Sequence, residues 1–343
     1  MINEIILHVG LHKTGTSSIQ HTLYKNRKFL IKQGFLYPSC WGANHSIPVY
    51  SIFCDNPVKY PMNIKDGLSH DEIKEKNNMY LDEFKKEVIK STCKKIIISG
   101  EDISMLTIDN LNKLRLFLLP ITENIKVILY VRHPVNWAVS AIQQKLKGGF
   151  TYTQSFSQVS RNVGKMKDNI NKFINVFSEK QLEVYEFEDA AKQGLIKHFL
   201  NSIGCTHIDE INTFTQNVSM SLIGADILNY INEKAPMIIN GVLNKKRLKQ
   251  DFKSILNIRG PKFDIPLNDK NEIVQKSLDN IKWFKEKWGI EYKTKLEPSQ
   301  QLNYTLTDEI VNDIKKAYWQ VPDHLKGLIM EYLADKLSEK KDH

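Results

Sequence analysis

The stretch that decides the fold runs from residue 8 to residue 20 and reads His8-Val9-Gly10-Leu11-His12-Lys13-Thr14-Gly15-Thr16-Ser17-Ser18-Ile19-Gln20. It continues a short apolar run, Ile5 to Val9, whose β-branched residues predict a buried strand. Beyond it, apolar residues recur at helical spacing to about Gln33, which predicts a helix. The chain therefore opens with a strand, a glycine-containing loop and a helix.

The loop has the composition of an anion-binding turn. Gly10 and Gly15 allow the backbone to turn sharply and to approach a phosphate closely. Lys13 adds a positive charge, and Thr16 and Ser17 add hydroxyl donors beside the first amides of the helix. In α/β sheets such a loop lies at the carboxyl edge of the strands, where ligands bind.

The loop differs from the Walker A pattern G-x-x-x-x-G-K-[ST] at one decisive position. Gly10 and Gly15 have the required separation, but Thr16 stands where the pattern has lysine, and the lysine lies inside the loop as Lys13. An ATPase needs its lysine on the β- and γ-phosphates and a hydroxyl on Mg²⁺. The loop is therefore predicted to hold the 5′-phosphate end of a nucleotide, with no metal ligands.

Three further apolar runs predict strands, and helical patterns separate them. The runs cover 95–99, 125–131 and 182–187. This alternation predicts an α/β fold with a parallel sheet covered on both faces. Residues 34–68 are interpreted as irregular, and from residue 205 onward the pattern is mainly helical. We predict one domain over 1–343, with a nucleotide-binding core at 1–204 and a helical extension at 205–343.

Composition places the chain among ordinary globular proteins. It has 343 residues, 41% of them hydrophobic and 25% charged, and a net charge of +9. Only six of its 48 basic residues are arginines, so most of the excess, including the cluster at 245–247, is interpreted as solvated lysine surface. No cysteine pair, targeting segment, membrane-spanning run or nucleic-acid-binding module is evident, and we expect a cytoplasmic protein, free or peripheral at the inner face of the membrane.

A second motif follows the third predicted strand. Arg132 ends that strand, Pro134 follows two residues later, and Ser140 stands eight residues after Arg132 on the predicted next helix. An arginine at a strand end offers its planar guanidinium group to a phosphate dianion. The hydroxyl of a serine on the following helix can reach the same phosphate.

Together the two motifs resemble the sulfotransferases that use 3′-phosphoadenosine 5′-phosphosulfate (PAPS). The segment Lys13-Thr14-Gly15-Thr16-Ser17 resembles the family's 5′-phosphosulfate loop, and the segment from Arg132 to Ser140 resembles its 3′-phosphate motif. Weaker matches are Val184-Tyr185-Glu186 and Asn217-Val218-Ser219, the latter resembling bacterial carbohydrate-modifying members. The resemblance covers about residues 1–220.

This resemblance implies a fold, a reaction and a set of ligand-binding residues. The fold is a three-layer sandwich like that of P-loop NTPases, and the reaction is metal-independent, in-line sulfuryl transfer from PAPS to a hydroxyl or amine of a carbohydrate or glycolipid. The product is adenosine 3′,5′-bisphosphate (PAP). The reaction implied by the resemblance needs charge on the leaving phosphate oxygen to be stabilised, a role that suits Lys13 and the amides of the loop. The residues implied to bind the donor are Gly10, Lys13, Thr14, Gly15, Thr16, Ser17, Arg132 and Ser140.

The base that deprotonates the acceptor is open among three residues. Glu101 follows the second predicted strand at the carboxyl edge, and we rank it slightly above His45, which lies in the irregular segment. His12, the neighbour of Lys13, ranks third. Two other functions stay open at this point: a divergent P-loop kinase or NTPase, and a non-catalytic basic protein that binds anions.

Overall fold

The computed structural model of the protein describes residues 1–214, 219–239, 242–245, 247, 251–297 and 306–339. The chain forms two compact units. The first comprises 1–133, 165–216 and 283–290, and the second comprises 134–164, 217–282 and 291–343. The domain boundaries drawn from the sequence stay a prediction.

The first unit is built on a five-stranded sheet in which all strands run parallel. Its strands are β1 (Glu4–Gly10), β2 (Phe35–Leu36), β3 (Lys95–Ser99), β4 (Ile125–Val131) and β5 (Leu182–Glu186). Their order is β2-β3-β1-β4-β5, so β1 lies at the centre, between β3 and β4. This sheet confirms the predicted α/β fold class.

The helices of the described residues follow in chain order. They are α1 (Thr16–Lys25), α2 (Arg27–Lys32), α3 (Ser46–Phe53), α4 (Pro61–Lys65), α5 (His70–Lys90), α6 (Ile108–Leu118), α7 (Pro134–Lys147), α8 (Tyr152–Ser160), α9 (Met166–Phe177), α10 (Phe187–Lys192), α11 (Leu195–Ser202), α12 (Leu222–Lys234), α13 (Leu267–Trp288), α14 (Asp308–Gln320) and α15 (Asp323–Glu339). Within this part of the chain, every helix is too short or too polar to cross a membrane.

Helices cover both faces of the five-stranded sheet. On one face, Ile19 and Leu23 of α1 and Phe199 of α11 pack with Ile6 and Tyr130 of the strands in one buried cluster. On the other face, α9 packs against β4 and β5, and α6 packs against α9. Two covered faces explain why all residues of β1 after the first are buried, as in other parallel sheets.

Three neighbouring strands bring the predicted site residues to one edge of the sheet. β1 ends at Gly10, β3 is followed by Gly100 and Glu101, and β4 is followed by Arg132. Because the three strands are parallel and adjacent, the loops that leave them meet at the same carboxyl edge.

The first unit departs from the sequence-based expectations in two places. The segment 34–68 is more regular than predicted, because it contains β2, α3, α4 and a short 3₁₀ helix, Pro57–Lys59. The helix predicted from Thr16 to Gln33 is interrupted at Asn26, whose side-chain amide donates to the carbonyl of Thr22. That local hydrogen bond separates α1 from α2.

The second unit is mainly helical, with α12 packed against α7 and α15. It also contains an antiparallel pair of short strands, β6 (Ile238–Ile239) and β7 (Val242–Leu243), which the sequence pattern did not predict.

Arg247 corrects the interpretation of the basic cluster in this unit as solvated. Its side chain is buried, and Nε donates to Asp251 Oδ2 at 2.8 Å. The other guanidinium nitrogens donate to the carbonyl of Ala235 at 2.6 Å and to Asn232 Oδ1 at 3.2 Å. The planar guanidinium of Arg247 can be buried because each of its nitrogens has a hydrogen-bond acceptor in a fixed position. The ammonium of a lysine would match these three acceptors less well.

Candidate functional site

The loop after β1 has the strained geometry expected of a tight anion-binding turn. Lys13 and Gly15 both adopt the left-handed conformation, with φ of 75° and 73°. The hydroxyl of Thr14 donates to the carbonyl of Leu11 at 2.6 Å, which closes the turn from inside. Gly15 is the residue before α1, so the first helical amides, which have no acceptor within the helix, begin directly after the turn.

A side chain on Gly10 would have no room, and one on Gly15 would have to displace the end of the Leu195 side chain. A Cβ on Gly10 would stand 1.9 Å from Thr16 Oγ1, and one on Gly15 would stand 2.3 Å from Leu195 Cδ2. The Thr16 hydroxyl is buried and has no hydrogen-bond partner in the described part of the chain. An unsatisfied buried donor beside a turn of this kind fits an anion held by the loop. Ser17, the next residue, is half-buried.

Arg132 joins the second sequence motif directly to this loop. Its Nη1 donates to the carbonyl of Lys13 at 3.0 Å. The carboxylate of Glu188 accepts from Arg132 Nε at 3.4 Å and from the amide of His133 at 3.2 Å. Burial lowers the pKa of Arg132, and the charge of Glu188 opposes that effect. Ser140 lies on α7, in the second unit, and its predicted contact with a phosphate stays a prediction.

Two of the three candidate bases meet at the same edge of the sheet. His12 Nδ1 lies 3.6 Å from Glu101 Oε2, and His12 Nε2 lies 3.8 Å from Asp102 Oδ1. The side chains of His12 and Glu101 are 42% and 31% exposed, so both are open to a substrate. Tyr60 donates to the other carboxylate oxygen of Asp102 at 2.5 Å and orients it.

His12, Glu101 and Asp102 could also hold a cation together. Each offers one ligand atom, and the three atoms lie within 4.8 Å of one another. Partly exposed acidic groups often lie this close without binding a metal, and no other feature of the described residues at this edge points to one.

His45, the third candidate base, is enclosed by the protein. Its Nδ1 accepts from the amide of Ser99 at 3.2 Å, so the proton of the neutral ring is on Nε2, which donates to the carbonyl of Pro38 at 3.1 Å. The side chain is fully buried, and burial lowers its pKa from 6.5 to about 3. These contacts favour a structural role for His45, because neither nitrogen is available to a substrate.

Ser99 is the hub of a buried polar network beneath the loop. Besides its contacts with His45, its hydroxyl lies 2.7 Å from His8 Nδ1, and its carbonyl accepts from Gln20 Nε2 at 3.1 Å. His8 is fully buried in the centre of β1, and burial lowers its pKa from 6.5 to about 3. The network ties β1, β3 and α1 together two residues before Glu101.

Lys172 is a further residue that the sequence analysis did not single out. From α9 it donates to the carbonyls of Ser104 and Leu106, which follow Glu101 and Asp102. Burial lowers its pKa from 10.5 to about 8. Its ammonium group therefore fixes the segment that carries the candidate base.

Comparison with known proteins finds two solved structures that match part of the chain. No family model matches the sequence, and no curated protein matches it. A sulfotransferase from Alicyclobacillus acidocaldarius is 15% identical with a TM-score of 0.41, and the match covers 64% of this chain and 86% of that one. A sulfotransferase domain from the curacin biosynthetic pathway is 12% identical with a TM-score of 0.36, over 60% of this chain and 75% of that one.

Proposed function

We propose that this protein is a sulfotransferase that moves a sulfuryl group from PAPS to a hydroxyl or amine of an acceptor. One observation carries the proposal: the hydrogen bond from Arg132 Nη1 to the carbonyl of Lys13. It joins two motifs that stand 119 positions apart in the chain and that each suit a different phosphate of one nucleotide.

The loop residues suit the 5′ end of the nucleotide. Gly10 and Gly15 have no side chain, so a phosphate can approach the backbone there closely. Thr16 supplies a buried hydroxyl without a hydrogen-bond partner in the described residues, and Lys13 supplies a positive charge. Thr14 shapes the turn through its bond to Leu11. PAPS, when bound, supplies an activated sulfuryl group. The role of Lys13 is then to stabilise the negative charge that grows on the leaving phosphate oxygen.

Arg132 suits the 3′-phosphate, and Ser140 keeps the role that the sequence motif predicts. A guanidinium presents five N–H groups, and the contacts of Arg132 with Lys13 and Glu188 use two different edges. It can therefore bind a phosphate while it stays attached to the loop.

We assign the base to Glu101, with His12 as its neighbour. Glu101 is partly exposed, lies at the carboxyl edge beside β1, and can take the proton of an acceptor hydroxyl as the new oxygen–sulfur bond forms. His12 precedes Lys13 in the chain, its ring lies 3.6 Å from Glu101, and it can donate to the transferred group. The acceptor we expect is a carbohydrate or glycolipid.

Nucleotide binding tests the proposal directly. PAP should raise the melting temperature of the protein even in the presence of a chelator. ATP with Mg²⁺, measured without the chelator, should not raise it, because Thr16 replaces the lysine that a triphosphate needs. Lys13→Ala should abolish the shift with PAP, and the exposed Lys28→Ala on α2 should leave it unchanged. A shift produced by ATP and Mg²⁺ alone would instead indicate a kinase or NTPase.

The acceptor can be found by following the transferred group. The protein is incubated with PAPS labelled in the sulfuryl group and with an extract of its host's glycans and lipids. Label transferred by the native protein but not by Lys13→Ala identifies the product. Label that appears equally with both proteins would contradict enzymatic transfer.

A further inference from the structure

The start of α10 contacts both predicted phosphate motifs, although the sequence analysis gave it no role. Phe187 and Glu188 are the first two residues of this helix, directly after β5. We propose that they form a positioning pair that sets the guanidinium of Arg132 for a nucleotide 3′-phosphate. Through this pair the protein distinguishes 3′-phosphorylated nucleotides from those with a 5′-phosphate alone. The inference rests on the proposed function.

Glu188 holds Arg132 by accepting one hydrogen bond from its side chain and another from the backbone of the next residue, His133. One carboxylate oxygen accepts from Arg132 Nε at 3.4 Å, and the other accepts from the amide of His133 at 3.2 Å. The Arg132 side chain is only 23% exposed, so its charge needs a nearby partner when no ligand is bound. Glu188 supplies that partner from the Nε edge of the guanidinium.

The carbonyl of Lys13 fixes a different part of the same guanidinium. It accepts from Nη1 at 3.0 Å, so the planar group is held at two points and cannot rotate freely. Each of the two contacts engages one of the five N–H groups of the guanidinium. The three that remain are all carried by the two Nη atoms. The arrangement leaves the N–H groups on the side opposite Glu188 directed to an incoming phosphate.

Phe187 makes a third contact with the guanidinium of Arg132, through its aromatic ring. The guanidinium carbon lies 4.9 Å from the centre of the Phe187 ring, a distance typical of a cation–π contact. The same ring borders the loop, because a Cβ on Gly15 would stand 3.3 Å from Phe187 Cε2. The ring therefore packs against both motifs and couples the position of Arg132 to that of the loop.

A carboxylate beside a phosphate-binding arginine could also act in the opposite way. As a competing anion, Glu188 would weaken phosphate binding, and its removal would strengthen binding. A positioning role predicts that its removal weakens binding of the 3′-phosphate specifically. The two roles therefore differ in the sign of one measurable change.

The test compares two nucleotides that differ only in the 3′-phosphate. Dissociation constants of PAP and of AMP are measured by calorimetry for the full-length wild type, Glu188→Ala and Glu188→Gln. Glu210→Ala and Glu210→Gln, at an exposed glutamate of the same unit, are the matched controls. Melting temperatures check that each variant is folded.

We expect the wild type to prefer PAP, and Glu188→Ala to lose about tenfold of that preference while its affinity for AMP changes less than threefold. Glu188→Gln, which keeps one of the two accepting oxygens but loses the charge, should retain an intermediate preference, and it carries the test if Glu188→Ala does not fold. An unchanged or greater preference in the Glu188 variants would overturn the positioning role alone. A wild type that binds PAP no better than AMP would overturn the proposed function as well.

Discussion

At the scale of single residues, the pairing of Glu101 with His12 has the sharpest chemical consequence. Glu101→Gln keeps the size and polarity of the side chain but removes its ability to take a proton. We expect the turnover number at saturating PAPS and acceptor to fall by about a hundredfold or more, because general bases contribute at least that much. The affinity for PAP should stay within about twofold, since the residue lies beside β3 and not in the loop.

The exposed Glu75→Gln on α5 is the matched control for this substitution and should keep full activity. His12→Asn should lower turnover by less than Glu101→Gln, because the role proposed for the His12 ring is to donate to the transferred group and not to take the acceptor proton. Near-normal turnover of Glu101→Gln would show that the base lies elsewhere.

The sequence predicted some of the candidate site residues but could not show which of them are accessible to a substrate. It selected Lys13, Arg132, Glu101 and His12, whose types and positions after strands are visible in one dimension. It could not separate His45 from them, because a histidine in a loop shows no sign of being fully buried with both nitrogens engaged. The contacts of Glu188 were equally invisible, since they depend on β5 lying next to β4.

At the scale of elements, the unit of β1, loop and α1 depends on Gly15 for two separable reasons. Gly15 adopts φ of 73°, and a Cβ there would clash with Leu195. Gly34, before β2, adopts φ of 84° with nothing within 4 Å of an added Cβ. Gly34→Ala should therefore cost only the left-handed strain, about 1 kcal/mol. Gly15→Ala should cost about 0.5–1.5 kcal/mol more, because the Leu195 side chain must leave its present conformation to make room for the methyl group.

Urea unfolding measures both costs, and calorimetry with PAP measures the effect on the loop. We expect Gly34→Ala to bind PAP normally and Gly15→Ala to lose most of its affinity. Equal free energies of unfolding for the two variants would contradict the packing that the structure assigns to Gly15.

Strands were predictable where they were long and buried. The runs at 95–99 and 125–131 coincide with β3 and β4, and the fourth predicted strand ends one residue later than β5. β2, β6 and β7 were missed because each has only two residues, too few to show a period. An Asn-Gly pair at 240–241, typical of hairpin loops, is the sequence signal that was available for β6 and β7.

At the scale of the whole molecule, the chain uses its two kinds of cation differently. Lysines supply most of the net charge of +9, whereas the six arginines are used sparingly. Among the residues that the structure describes, Arg132, Arg247 and Arg259 form ion pairs with carboxylates, and the first two are largely removed from solvent. In a lysine-rich sequence, an arginine is therefore a useful sign of a fixed, directional contact.

Acid stability is the global property that follows most directly from the buried histidines. His8 and His45 have a pKa lowered by burial to about 3, against 6.5 when they are unburied. Above pH 6.5 both are neutral in the folded and the unfolded chain, and their contribution to stability is complete. As the pH falls from 6.5 toward 3, only the unfolded chain takes up the two protons. The free energy of unfolding should therefore fall by about 1.4 kcal/mol per pH unit for each histidine.

Urea unfolding at pH 7, 6, 5 and 4 measures this slope for the wild type, His8→Gln and His45→Gln. Each variant should be less stable than the wild type at pH 7, because a buried contact with Ser99 is altered. Each should also lose less stability on acidification, by about 1.4 kcal/mol per pH unit, because it lacks one group that only the unfolded chain protonates. His70→Gln, at a largely exposed position on α5, should keep the wild-type slope. A slope in His8→Gln and His45→Gln equal to that of the wild type would mean that carboxylates, and not the histidines beneath the loop, set the acid limit of the fold.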